Sequence, residues 1–360
     1  MVRVAQISFH ADTQDRTPAQ LLQAWPTLTM QAESAAAAGA RVRVIQACGH
    51  ERRLRLNGID YAFQPFHTDP ARLAALLDGV DVLHVQGLHF VREVLVLARL
   101  APGRPVLLQD HAGCAPRHPW AWPAWRRAFA ASRGLIFNSR EQAAPFRRRG
   151  LIPARTRVYE VPESSSHFRP LERALARRET GLHGAPALLW VGHLDPNKDP
   201  LAVLDALALA APQLPGAQLW CCFGSAPQMS QVQARLCDPR LAGRVHLLGS
   251  VPHERVQTLM AAADLFVQGS HREGSGYSLI EALACGLPPV VTDIPSFRTL
   301  AGDIGNFWRV GDAAQLAAKL VALTAAPPSR AAVRGRFEQH CSPAALGRQL
   351  LRTYEDALRP

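Results

Sequence analysis

The chain has 360 residues, 48% of them hydrophobic and 7% aromatic, with a formal net charge of +11 carried mostly by arginine. That length suggests two domains rather than one, and the composition is that of a soluble globular protein. No apolar run approaches the ~18–20 residues needed to cross a bilayer, and the N-terminus is too short in apolar residues for a signal peptide. Seven cysteines, an odd number with no C-x-x-C pair, point to reduced thiols and a cytoplasmic setting. The basic charge admits an anionic substrate, an anionic membrane surface or nucleic acid. Nothing in the chain resembles an RNA- or DNA-binding module, so nucleic acid is set aside as a partner.

Residues 2–9 alternate towards a buried strand, and residues 41–47 form a second after a helix that Gly39 closes. Between them Thr17-Pro18 reads as a cap and first-turn proline, and Pro26 opens another helix. Strands follow at 81–86 and at Val106–Gln109. His84 lies within the third strand and reads as a packed core histidine. Asp110 and His111 stand at the end of the fourth, where ligands of parallel sheets are met. His111 and Cys114 are too few to make a metal site. Trp120, Trp122 and Trp125 beside Arg126 and Arg127 suit a membrane interface, though a helix packing its aromatics into the core accounts for them more simply. Residues 134–139 form another strand, with Asn138-Ser139 able to cap the next helix. The last strand of this half is 158–161, and residues 162–170, with prolines at both ends, make a hinge.

The second half opens with strand Ala187–Val191, followed by Gly192-His193-Leu194-Asp195-Pro196-Asn197-Lys198-Asp199-Pro200. A strand ending in glycine brings backbone close to a ligand, and Lys198 supplies a point charge for an anion. Further strands are expected at 219–223, with Gly224-Ser225 at its tip, at 245–248 before Gly249-Ser250-Val251-Pro252, and at 264–267. The most informative stretch is 270–292. It carries Glu273, then Gly274-Ser275-Gly276, then an amphipathic run from Tyr277 with Glu281, closed by Cys285-Gly286-Leu287-Pro288. The glycines would sit at a helix N-terminus, where unpaired N–H groups and the positive dipole end favour phosphate. Glu273 precedes that end and Glu281 lies about one turn inside it. A sugar, a diphosphate and a ribose in series fit the two acids and the anion site between them. A strand at 290–292 precedes Asp293-Ile294-Pro295-Ser296, and the chain ends in helices at 313–324 and Pro343–Leu358.

Two carboxylates eight residues apart, glycines after the first and the Glu281–Pro288 run before a β-branched strand resemble the retaining GT-B glycosyltransferases of the glycogen-synthase and sucrose-synthase type, family four. Their pattern here is EGFG, then EAMACG-P-VV, with Ser275 in place of the phenylalanine. Their VGRL-x-x-x-K-x-P is matched from Val191 to Pro200 except that His193 replaces arginine. The resemblance implies an α/β GT-B fold, two Rossmann-like parallel-sheet domains facing across a cleft. Residues 1–165 would be the acceptor-side domain and 171–340 the nucleotide-sugar-binding domain. Residues 341–360 would be a helix crossing back to the first. The resemblance also implies that His111 contacts the donor sugar and that Ser250 and Val251 lie near the base. A glycine-rich turn is expected after the first strand, yet no glycine occurs before Gly39. Ser164–Ser166 replace the usual asparagine–glycine turn.

The chemistry expected from these residues is transfer of a sugar from a nucleotide-diphosphate sugar to a hydroxyl of a glycan or lipid-linked acceptor, with retention of anomeric configuration. His111, Lys198 and Glu273 are the catalytic candidates. Gly192, His193, Gly224, Ser250, Val251, Gly274, Ser275, Gly276, Tyr277 and Glu281 form the binding set. Lys198, His193 and the amides of 274–277 would meet the leaving diphosphate, Glu273 the transferred sugar and Glu281 the ribose. His193 carries a full charge only below about pH 6.5. With no Asp-x-Asp pair in the chain, neither metal nor other cofactor is expected. Peripheral contact with an anionic membrane would suit a lipid-linked acceptor, at the inner face of the membrane. Two other classes stay open: an epimerase or glycan phosphorylase on the same scaffold, and a partner subunit with weakened catalysis, which the absent glycine turn and His193 would suit. Release of free nucleotide without acceptor marks the epimerase, and no donor hydrolysis at all marks the partner subunit.

Overall fold

The computed structural model describes residues 1–49, 51–65, 69–111 and 113–360. The chain divides into two compact units, Met1–Ser165 with Pro343–Pro360, and Ser166–Ser342. Each is built on one sheet.

The first sheet holds β1 (Arg3–Ser8), β2 (Arg41–Cys48), β3 (Arg52–Leu56), β4 (Ile59–Pro65), β5 (Val82–Gln86), β6 (Val106–Gln109), β7 (Gly134–Phe137) and β8 (Arg157–Glu160). Their spatial order is β3-β4-β2-β1-β5-β6-β7-β8. All neighbours are parallel except β3 and β4. That hairpin is absent from the sequence reading, because β3 is a short, largely exposed arginine-rich segment whose apolar face is only Leu54 and Leu56. Its turn did leave a signal: Asn57 and Gly58 both take positive φ, 50° and 79°, as an asparagine–glycine hairpin turn requires.

The second sheet is entirely parallel: β9 (Ala187–Val191), β10 (Gln218–Cys222), β11 (Val245–Gly249), β12 (Leu265–Gln268), β13 (Pro289–Thr292) and β14 (Asn306–Trp308). The order is β11-β10-β9-β12-β13-β14. Chain direction across the sheet therefore reverses at β1/β5 in the first unit and at β9/β12 in the second. Crossover connections leave a crevice at such a point, beyond the carboxyl ends of the strands.

The strands are near-continuous apolar runs because helices cover both faces. The helix Pro343–Leu358 completes the first unit. It places Leu346, Leu350, Tyr354 and Ala357 at helical spacing on a core shared with Val4, Val44, Tyr61 and Phe63. Tyr354 is fully buried; its hydroxyl takes a hydrogen bond from Gln6 Nε2 at 3.1 Å and lies 2.9 Å from His84 Nδ1. Burial, with the nearby His111 charge, pushes the His84 pKa down to about 3, so it stays neutral in the core. Of the tryptophans, Trp125 packs against Phe129 and Phe146 and Trp122 is half-buried, whereas Trp120 is 80% exposed. Thr17 caps the helix Pro18–Ala24 through a capping box with Gln20.

Helix Pro343–Leu358 lies against helix Pro26–Ala37 so closely that a Cβ on Gly347 would stand 2.1 Å from the Ser34 carbonyl oxygen. Gly347→Ala must push the two helices apart, at a cost of ~1–3 kcal/mol. Calorimetry should show the melting of the first unit lowered by several degrees, and an unchanged transition would refute the packing.

Candidate active site

At the switch point of the second sheet, the loops leaving β9 and β12 are tied to each other through their backbones. Gly192 follows β9 and donates its N–H to Cys222 O at 3.0 Å. A Cβ there would lie 3.5 Å from Lys198 Cγ and Cδ, so the bare glycine leaves the lysine stem resting over the strand end. Lys198 N–H is held by Asp195 Oδ1 at 2.8 Å, and Asp199, at φ 47°, caps the helix Pro200–Ala210. From the other loop, His271 N–H donates to Asn197 O at 2.7 Å, and Asn197 Nδ2 donates to Arg272 O at 3.0 Å. Gly269 is required at this crossing. A Cβ on it would meet Asp199 O at 2.9 Å and Lys198 O at 3.0 Å.

This bracing delivers Lys198 Nζ to Glu273 Oε1 as an ion pair, and the same oxygen accepts from Ser270 Oγ at 2.6 Å. The two side chains are only 17% and 11% exposed. Lys198 is one of only two lysines in the chain, the other being Lys319. A flexible ammonium can leave a carboxylate for another anion more readily than a guanidinium locked in a bidentate fork.

The helix after Glu273 runs Tyr277–Ala284. Its N-cap, Gly276, takes φ 63°, and a Cβ there would strike Leu300 Cδ1 at 2.9 Å. Only glycine combines that backbone with that contact. Ser278 Oγ donates to Gln268 Oε1 at 3.0 Å and ties the first turn to β12. Gly274, Ser275, Gly276 and Tyr277 thus follow Glu273 directly into the helix start. Glu281, 9% exposed, meets His253 Nε2 at 2.6 Å. His253 opens the helix His253–Ala262 directly after Ser250, Val251 and Pro252. That contact brings the Ser250–Val251 loop beside Glu281. The hydrogen bond to Glu281 holds the His253 imidazolium above the ordinary histidine range. Sequence reasoning missed His253, since nothing in the sequence distinguishes it from a solvated first-turn residue. At the end of β10, His193 Nδ1 accepts from Ser225 N–H at 3.2 Å, with Gly224 beneath the ring. When neutral, this ring carries its proton on Nε2, leaving a donor free to face outward.

In the first unit His111 follows β6 and is 29% exposed at its side chain. Its Nδ1 lies 2.5 Å from Glu163 Oε1 and its Nε2 lies 2.7 Å from Gln86 Oε1. Burial alone would lower its pKa, but the Glu163 charge and hydrogen bond, with Asp110, outweigh it and hold the imidazolium above its ordinary value. Glu163 and Gln86 are further residues that the sequence did not single out. Where a glycine-rich turn was expected after β1, Arg16 instead pairs with Asp12 at 2.7 Å. Arg16, Thr17, Cys48, Arg52 and Phe63 line a recess of about 210 Å³ there.

Residues 27–160 match the family described as Glycosyltransferase Family 4, and residues 172–338 match Glycosyl transferases group 1. The chain belongs to the GT-B glycosyltransferases of family four. Among its relatives is the GDP-mannose:cellobiosyl-diphosphopolyprenol alpha-mannosyltransferase of Xanthomonas campestris, 26% identical over 245 residues. The match covers 66% of this chain and 62% of the relative, so the chain spans less than two thirds of the length of that protein. In fold, this family-four chain is similar to the sucrose-phosphate synthase of Thermosynechococcus elongatus, with TM-score 0.68, 20% identity and 99% of each chain covered. It is also similar to Anabaena HepE in complex with UDP and glucose, with TM-score 0.67, 17% identity, and 99% of this chain and 100% of the other covered. Against the family-four motifs, Ser275, His193 and Leu283, which stands for methionine, depart within the second unit.

The buried pair makes a stability prediction. Removing the cation alone with Lys198→Met strands a desolvated carboxylate and should cost about 3 kcal/mol. Adding Glu273→Gln to that variant should restore part of the loss. Urea unfolding of both single variants and the double one measures the coupling, and strictly additive losses would show that the two groups do not interact.

Proposed function

We propose that the chain is a retaining, metal-independent glycosyltransferase that moves a sugar from a nucleotide-diphosphate sugar to a hydroxyl of a glycan, glycolipid or other cell-surface precursor. The observation that carries this reading is the Lys198–Glu273 pair at the β9/β12 switch point, directly before the start of helix Tyr277–Ala284. A diphosphate at that helix start draws Lys198 away from Glu273. The freed carboxylate then accepts hydrogen bonds from hydroxyls of the transferred sugar. Glu281 takes the ribose hydroxyls in the same way, in exchange for His253, with Ser250 and Val251 beside the base. His193 offers its outward N–H to the diphosphate, and the family resemblance assigns the transferred sugar to His111.

In the reaction the bond from the anomeric carbon to the diphosphate oxygen breaks, and the diphosphate leaves with the bonding electrons. The acceptor hydroxyl oxygen bonds to the same face of that carbon, and its proton passes to the departing phosphate oxygen. Prearranged donors facing a departing anion are the largest catalytic contribution such a site makes. Metal independence rests on the cation already in place and on the absence of an Asp-x-Asp pair. The GDP-mannose donor of the Xanthomonas relative and the UDP and glucose bound by Anabaena HepE support a nucleotide-sugar donor. The recess lined by Arg16 and Arg52 is the acceptor side of this proposal. No helix among the described residues is long and apolar enough to cross a membrane. A lipid-linked acceptor would be met at a membrane surface, where exposed Trp120 and the neighbouring arginines suit anionic lipid.

Lys198→Ala and Glu281→Gln should each weaken nucleoside diphosphate binding about tenfold or more, ~1.4 kcal/mol, by calorimetry. Both should leave the fold intact. Donor hydrolysis should persist in a chelator, and the product formed with acceptor should keep the donor's anomeric configuration by NMR. Unchanged nucleotide binding in both variants would overturn the reading. Complete absence of donor hydrolysis would favour a non-catalytic partner subunit, and acceptor-independent release of free nucleotide with an altered sugar would favour an epimerase.

A further inference from the structure

His111 closes a ring of hydrogen bonds within the first unit, and the ring dictates its own proton positions. The Glu163 backbone carbonyl can only accept, so Gln31 must present its Nε2 to it, at 2.7 Å. Gln31 then turns its Oε1 to Gln86, whose Nε2 donates at 2.9 Å. Gln86 in turn has its Oε1 towards His111 Nε2 at 2.7 Å, which must donate. The remaining ring nitrogen, Nδ1, faces Glu163 Oε1 at 2.5 Å, and an ionised carboxylate only accepts. Both nitrogens of His111 therefore carry protons.

Burial strengthens the argument. Gln31 is fully buried, Glu163 is 6% exposed and Gln86 is 8% exposed, so most of the ring lies out of bulk water. Glu163 is fixed in place by its own N–H, which donates to Asn138 Oδ1 at the end of β7. Its second oxygen, Oε2, is buried with no hydrogen-bond partner among the described residues. A carboxylate so placed needs a neighbouring positive charge.

We propose that Glu163, Gln31 and Gln86 are positioning residues that hold His111 as a doubly protonated imidazolium, paired with the Glu163 carboxylate at the end of β6. Both of its N–H groups are engaged in the ring, so an acceptor oxygen would gain a hydrogen bond from it only by taking the place of Gln86 Oε1 at Nε2. The charge state follows from the ring with Glu163 as a carboxylate; its use against the oxygens of a sugar-diphosphate rests on the function proposed above.

The other titratable groups around it are consistent with that charge. Asp110, next in sequence, adds attraction. His84 on β5 remains neutral under burial and the His111 charge. His89, after β5, is pushed down by burial, by His10 and by His111, against the pull of Glu93. Because His111 titrates above its ordinary value when folded, the imidazolium is complete below that value and is lost only as pH rises through the folded one. Activity that depends on it falls on the alkaline side.

The test is long-range 1H–15N NMR of the full chain with 15N-labelled histidine, titrated without donor, with the His111 signals assigned by their loss in His111→Gln. Both ring nitrogens should show protonated shifts at pH 7, with a midpoint above that of ordinary histidine. Glu163→Gln keeps an oxygen near Nδ1 but removes the charge, and should lower the midpoint by ~1–2 pH units. One unprotonated ring nitrogen at pH 7 overturns the proposal, as it would place the proton on Glu163. An unmoved midpoint in Glu163→Gln overturns it too. If that variant fails to fold by circular dichroism, the wild-type titration alone decides. Donor hydrolysis over the same pH range should lose activity in step with the NMR midpoint. A protonated His111 with no hydrolysis at any pH keeps the charge assignment and removes the transferase reading.

Discussion

Two loop backbones crossing at the carboxyl ends of β9 and β12 are the constraint on which the second unit's site depends. Gly269 lets the β12 loop lie against the carbonyls of Lys198 and Asp199, and bonds between His271, Asn197 and Arg272 lock the crossing. The position of Lys198 against Glu273 is thus set by main chain before either side chain contributes. Placing two opposite charges in a poorly solvated crevice gains little stability by itself. What it secures is a cation and an anion held in register, each able to change partners.

The same economy recurs at the other candidate groups. Glu281 is paired with His253, and His111 with Glu163 and Gln86. Each candidate acid or base in the ligand-free protein is satisfied by a protein partner. The buried groups thereby escape the cost of standing unpaired. The two units solve this differently. In the second unit each pair joins one cation to one carboxylate, with Ser270 adding a hydrogen bond to Glu273. In the first, four side chains and a carbonyl close a ring whose amide orientations are fully determined.

Parallel-sheet architecture makes both solutions available. In each sheet the chain reverses its direction of travel beside the first strand of the unit, β1 or β9, and the loops that follow spread around the gap. Lys198, Glu273 and Gly192 leave the two strands that flank the gap in the second sheet. Gln86 leaves β5, which borders it in the first, and His111 leaves the next strand out. The site is a consequence of strand order as much as of side-chain chemistry.

The sequence by itself determined the strand–helix alternation, the caps at Thr17 and Gly276, and the spacing of Glu273 from Glu281. These are local: apolar periodicity, a first-turn proline and a glycine at positive φ act over a few residues. Lys198 was legible as well, since its glycine-ended strand and following helix are contiguous in the chain. The β3–β4 hairpin was hidden by an arginine-rich strand, although Asn57-Gly58 marked its turn. Only the tertiary structure decided the partners. His253 reaches Glu281, Gln31 reaches Glu163 across most of the first unit's sequence, and Tyr354 reaches Gln6 and His84 from the far end of the chain. No local pattern announces such a contact, because a buried hydrogen bond is specified by which strand ends the fold makes neighbours, and a residue's own surroundings in sequence do not contain that information.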